Sequence, residues 1–223
     1  MRVLSFDTAL TACSVAVVDT AGDSVLAARS EHMDRGHAEA LMPMIAAEVE
    51  KAGGLEGIER IVVTVGPGSF TGIRVGLAAA RALALATEKP LVGVTTLSAL
   101  AAPAIAEDGD TPVVAAIDAR HGRVFFQAFT PGARGLVPAR VLPAREAARS
   151  LGAGAVRLIG SGAGLVAEHL EAGRYAILDG VVADPVWLAR LGAVMPLPMR
   201  PPRPLYLRPA DAKPQTGGRV ARA

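Results

Sequence analysis

The sequence holds a single cysteine, Cys13, among 223 residues, which excludes an internal disulfide. It sits in the strand pattern ACSVAVVD and reads as a small core residue rather than a nucleophile. No apolar run reaches the roughly 18 uncharged residues that a membrane-spanning helix needs; Ile73 to Ala86 comes closest but carries Arg74 and Arg81. The opening MRVLSFDTAL has neither the long apolar segment nor the small-residue cleavage site of a signal peptide, so the protein is expected in the cytoplasm, away from membranes. Catalytic signatures are missing too. His32, His37, His121 and His169 form neither HExxH nor HxxxH, and the step from His32 to His37 does not place both on one helix face. There is no GxSxG elbow, and Ser69 has no histidine near it in sequence. Metal-dependent and hydrolytic chemistry are left without their usual residues.

What is present is organised around IVVTVGPGSFTGIR, residues 61–74. Its apolar, β-branched start predicts a buried strand, Gly66-Pro67-Gly68 a tight turn, and the alanine-rich run to Ala86 a helix. Ser69 and Thr71 are candidate caps for the helix's first free N–H groups, and Gly72 and Gly76 permit close backbone approach. The turn is neither a Walker A, since no Lys follows, nor GxGxxG, since Thr71 stands where the third Gly belongs. It leaves open an anion at the helix N-terminus or simple packing glycines. The helix itself carries only Arg74 and Arg81 as charges, so it needs cover on more than one side. One cover is its own sheet; the other is a partner helix or an internal element.

The chain in order gives strands at 2–8, 12–19 and 24–31, a helix at 36–52, the 61–65 strand, the helix from Gly72, a strand at 91–94 and a helix at 96–106. The pattern βββαβαβα then recurs: strands at 113–117, 123–129 and 135–142, a helix at 144–150, a strand at 156–159, a helix from the 160–164 turn to Glu171, a strand at 174–178 and a helix at 185–193. Two halves of one order predict a duplicated α/β fold, with subdomains 1–108 and 109–199 and a basic, Pro-rich tail 200–223 whose end, TGGRVARA, is expected to be disordered. The tail has six basic side chains against Asp211; with +2 for the whole chain, residues 1–199 carry −3. With one aromatic, Tyr206, the tail reads as solvated or partner-docking rather than RNA-binding. Asp7 and Asp118 end the first strand of each half. In duplicated folds of the actin, sugar-kinase and heat-shock-chaperone type, such a carboxylate helps hold a metal-phosphate complex. It is equally a turn-forming Asp.

VLSFDTALTACSVAVVD at the start, HAEALMPMI (37–45), VGPGSFTGIRVGLAAARALA (65–84), VGVTTLSALA (92–101), AIDARHGRVF (116–125) and PLYLRPADAKP (204–214) together resemble the TsaB family, also called YeaZ. The resemblance runs through nearly the whole chain and is weakest over 131–178. It implies an actin-like (ASKHA, RNase H-like) fold and a non-catalytic relative of the TsaD ligase, which threonylcarbamoylates the adenosine beside the anticodon in tRNAs reading A-starting codons. It implies no resident cofactor, ATP and metal belonging to the partner, and a complex with a TsaD-type ligase and a TsaE-type ATPase that meets tRNA as a whole. Alone, the same surface is expected to close into a homodimer. The interface is carried onto Leu41, Met42, Ile45 and Val49 of one helix and Gly72, Val75, Gly76, Ala79 and Leu83 of the next. A vestigial nucleotide site would comprise Asp7, Gly66, Gly68, Ser69, Asp118, Gly160 and Gly162. The alternative of another class is an ATP-dependent phosphotransferase or ATPase built on those residues. A metalloprotease, the older label of this superfamily, lacks a metal-ligand pair.

Overall fold

A computed structural model describes residues 1–132 and 134–208. The first half runs β1 (Arg2–Asp7), β2 (Ala12–Asp19), β3 (Ser24–His32), α1 (His37–Lys51), β4 (Arg60–Thr64), α2 (Phe70–Thr87), β5 (Leu91–Val94) and α3 (Thr96–Glu107). The second runs β6 (Val113–Asp118), β7 (Arg123–Phe129), β8 (Gly135–Pro143), α4 (Ala144–Arg149), β9 (Val156–Ile159), α5 (Ala163–Ala167), β10 (Tyr175–Ile177) and α6 (Pro185–Val194). The two sheets have the orders β3-β2-β1-β4-β5 and β8-β7-β6-β9-β10, the same order in each half. In each, the first three strands are antiparallel neighbours and the last two join in parallel. This is the duplicated actin-like α/β fold expected from the repeat of element order.

The central strands β1, β2 and β4 are buried on both faces, which is why they read as continuous apolar runs. One face of the first sheet is covered by α1 and α2 through Leu41, Met44, Ile45, Ile73 and Leu77. The other is covered by α6 of the second half, whose Leu188 and Ala189 join Val3, Val18, Val62 and Val92. Correspondingly, Leu97, Leu100 and Ala104 of α3 pack with Val113, Ala115 and Phe129 of the second sheet. Each half's last helix therefore completes the core of the other half. Two polar ties fix the exchange: the buried Ser5 hydroxyl donates to the Pro185 carbonyl at 2.5 Å, and Arg60 Nη1 lies 2.7–3.0 Å from the Gly192, Ala193 and Met195 carbonyl oxygens at the end of α6.

Pro43 stands inside α1, beyond its first turn. Two local readings differ from the sequence expectation. Thr71 lies within α2, leaving Ser69 as the cap, with its hydroxyl accepting from Gly72 N–H at 3.2 Å. α5 ends at Ala167 rather than Glu171, because the bonds that follow, His169 to Val166 and Leu170 to Ala167, are the tighter i to i−3 kind. Cys13 is fully buried in the first core, and burial pushes its thiol up to about 11, in keeping with a packing role.

The start of the tail is docked on the chain itself. Leu205 N–H donates to Val65 O at 2.7 Å, Tyr206 stacks obliquely on Phe70 at 4.9 Å between ring centroids and bonds Arg74, and Arg81 donates to Pro202 O. This segment supplies part of the second cover that α2 needed. The expectation of disorder concerns residues outside those described.

Candidate functional site

The cleft between the halves, about 670 Å³, opens where the strands of both sheets end. Its walls include Gly68, Ser69, His37 and Arg35 from the first half, Asp118, Arg120 and Ser161 from the second, and residues 205–208 of the docked tail. Asp118 is exposed there. Its carboxylate accepts from Arg120 N–H at 2.7 Å, and its own N–H donates to the Ser161 hydroxyl at 3.1 Å. That is the turn-forming use of an aspartate.

Asp7 behaves otherwise. It is fully buried and does not line the cleft. Oδ1 accepts from the Thr64 hydroxyl and from Ala9 N–H at 3.0 Å, whereas Oδ2 has no partner among the described residues. Burial holds its carboxyl above the ordinary carboxylate value, against the opposing pull of those hydrogen bonds and of His37. The two strand-end carboxylates thus do not converge on one cavity as a shared metal-phosphate site requires. Among the described residues no three His, Cys, Asp or Glu side chains gather where they would hold a metal ion.

The glycines of that site are used internally. A Cβ on Gly68 would overlap Ala9 O, and one on Gly160 would overlap Ala116 O. A Cβ on Gly66 would sit 2.9 Å from Leu205 O, and one on Gly162 3.0 Å from the Ile117 carbonyl carbon. These are close approaches of backbone to backbone, which only glycine permits. Of the seven residues singled out, Gly68, Ser69 and Asp118 line the cleft.

The buried Asp7 carries a sign for pH dependence. A carboxyl whose folded value lies above its unfolded one favours the fold below the unfolded value, and that contribution is lost as pH rises through the folded value. Every tenfold change in proton affinity between the two states is worth about 1.4 kcal/mol. Thermal melts of Asp7→Asn against the native chain between pH 4 and 8 should show a difference that grows in favour of the variant as pH rises; parallel curves would show that Asp7 is not desolvated as described.

The helix pair separates the nine interface candidates into two groups. Leu41, Ile45 and Val49 are buried in the first core, and Gly72 and Gly76 face β1, where an added Cβ would meet Thr8 O and, at 2.7 Å, Thr8 Oγ1. This corrects their assignment to a partner surface: the strongest apolar stripe of each helix is taken by the chain's own sheet. Met42 is 45% exposed, and Val75, Ala79 and Leu83 are half-buried along the side of α2 nearest the core. Beside them Pro43 and Ala46 of α1, and Ala78, Ala82 and Ala86 of α2, are exposed. The result is a face of small apolar side chains over two adjacent helices with no cover among the described residues. α2 is the one helix among the described residues long and apolar enough to cross a bilayer, and 28% of that span is buried, so its docking on the first sheet accounts for part of that composition.

Sequence reasoning missed Thr8, Ser161 and Arg60. Only Arg60, a lone charge opening an otherwise apolar strand, left a signal.

A family model described as TsaD, tRNA N6-adenosine threonylcarbamoyltransferase, matches residues 26–138. The tRNA threonylcarbamoyladenosine biosynthesis protein TsaB of Escherichia coli is 39% identical over 137 residues, 61% of this chain and 58% of that protein. The match thus spans little more than half the length of that relative. An uncharacterised protein of Mycobacterium tuberculosis is 35% identical over 220 residues, 95% of this chain and 94% of its own length. Among solved structures, YeaZ from Pseudomonas aeruginosa superposes with a TM-score of 0.75 at 30% identity, covering 86% of this chain and 90% of that one. A fold duplicated in the same order, and the match to YeaZ over 86% of this chain and 90% of that one at 30% identity, lead to one assignment: the chain belongs to the TsaB (YeaZ) family.

Proposed function

We propose that the chain is a non-catalytic scaffold subunit of the system that forms threonylcarbamoyladenosine in tRNA, and that it activates a TsaD-type ligase by binding it through α1 and α2. The uncovered small-residue face of those two helices carries this reading. Two such helices set against two of a partner form a bundle, and small side chains let the axes approach closely. A stable contact of this kind buries roughly 1,600 Å² in total. The burial of Asp7 away from the cleft that Asp118 lines supports a non-catalytic role. A TsaE-type ATPase joins the pair, ATP and metal are held by the partners, and without the ligase the face closes on a second copy of the chain. The complex acts on tRNA in the cytoplasm.

The test uses residues that are exposed in the isolated chain. Met42→Glu and Ala78→Arg should leave its melting temperature unchanged and weaken ligase binding by about 2 kcal/mol or more, roughly 30-fold. Threonylcarbamoyladenosine formation by the reconstituted system should fall with it. Unaltered binding and modification in both variants would overturn the reading.

A further inference from the structure

A second cavity, about 740 Å³, lies between the C-terminal end of α2 and the stretch 198–203. Arg81, Lys89, Arg200 and Arg203 line it together with Leu85 and Met199, and no carboxylate does. Leu85 is 83% exposed and Met199 fully exposed. Arg81 donates to Pro202 O at 2.5 Å and Lys89 to Glu56 O at 3.3 Å. These bonds to neutral carbonyls hold the two cations without cancelling their charge. Arg200 and Arg203 are exposed and have no hydrogen-bond or ion-pair partner among the described residues. Four cations in one concavity repel one another, so the arrangement is at its most stable with an anion in place. Such a concentration of charge is more notable because residues 1–199 carry a net −3. The sequence after 208 adds Lys213, Arg219 and Arg222 against Asp211, extending the same sign along the chain. A run of positive charge suits an extended polyanion better than a single small anion. No aromatic side chain lines the cavity, so it offers bases no stacking platform; the sequence reading against an RNA-binding tail rests on that lack, which bears on base stacking and not on contact with the phosphate backbone.

We propose that this basic cavity binds the sugar-phosphate backbone of RNA, without reading its sequence. The proposal rests on the chain's place in a tRNA-modifying system and gives that system a contact outside the ligase.

Fluorescence anisotropy of a fluorescein-labelled, unmodified tRNA transcript with the full chain tests it across 50–200 mM salt. Four phosphate contacts give a log–log salt slope of about −3.6, so binding should weaken about 150-fold over that range. Arg200→Glu with Arg203→Glu leaves two contacts, for which the slope falls to about −1.8 and the weakening to about 12-fold. Affinity at 50 mM should drop at least tenfold. Neither side chain bonds within the described fold, so the variant's melt should match the native one. An equal slope in both proteins, no binding by the native chain, or displacement by poly-glutamate as readily as by unlabelled tRNA would overturn the proposal, the last by pointing to an acidic protein segment instead. The assay contains no ligase. Failure here leaves the helix-face test standing, and failure of Met42→Glu to disturb the ligase complex leaves this one standing.

Discussion

Replacing Gly72 with alanine will cost this chain a large part of its stability, although the change adds one methyl group. Gly72 lies in the first turn of α2, where its N–H is capped by Ser69 and its carbonyl accepts from the Thr8 hydroxyl at 2.7 Å. A Cβ at this position would overlap the Thr8 carbonyl oxygen. The obstacle is buried backbone just beyond β1 and cannot swing aside, so the whole helix must lift off the sheet. Overpacking typically costs about 1–3 kcal/mol, and a rigid neighbour places this case near the top. For a domain of this size that is a fall of about 6–12 °C in melting temperature. Gly76→Ala is the control. Its nearest obstacle is the Thr8 hydroxyl at 2.7 Å, a single side-chain atom that can turn aside only by giving up its bond to Gly72 O, so about 1–2 kcal/mol is expected. Equal melts for Gly72→Ala and the native chain would mean that α2 does not rest on Thr8. Gly76 also fails as a probe of partner binding, because a bulky residue there disturbs the fold before it reaches any interface.

The second large effect belongs to Arg60. Its guanidinium sits among the last carbonyls of α6, which have no intrahelical partner and form the negative end of the helix dipole. Arg60→Met keeps the stem and removes the donors, leaving those carbonyls unpaired. Hydrogen bonds to a charged group contribute roughly 1.5–3 kcal/mol each, not additively, and a loss of about 3 kcal/mol is expected. Limited proteolysis should show new cleavage near Met195, and Arg60→Lys should restore much of the loss, since all three carbonyls are met by the single Nη1 nitrogen, which an ammonium can replace. Protection equal to the native chain would show that α6 is held by its apolar contacts alone.

The sequence shows element order well and surfaces poorly, for one reason. Periodicity finds the most apolar face of a helix, and in α1 that face, Leu41, Ile45 and Val49, went to the chain's own sheet. The face left exposed is made of alanines, a methionine and a proline, which carry little hydrophobic contrast. The glycines of α2 signalled close approach correctly but not the direction of approach, which is inward to Thr8. Asp7 and Asp118 occupy matching positions in the repeat, yet one is buried beside Thr64 and the other bonds its own turn. A match in the pattern does not fix burial. The apolar character of α3 and α6 was legible; which sheet each would cover was not, because pattern gives the need for cover and not its source.

That exchange of last helices has a consequence for synthesis. The strands of the first sheet are complete once Val94 has been made, but Val3, Val18, Val62 and Val92 gain their cover only when Leu188 and Ala189 arrive. At translation speeds of about 5–20 residues per second, an apolar sheet face stays open for roughly 5–20 s on every ribosome. The nascent half-molecule is therefore a natural client for chaperones, and a message truncated before α6 yields a sticky product rather than a smaller folded one.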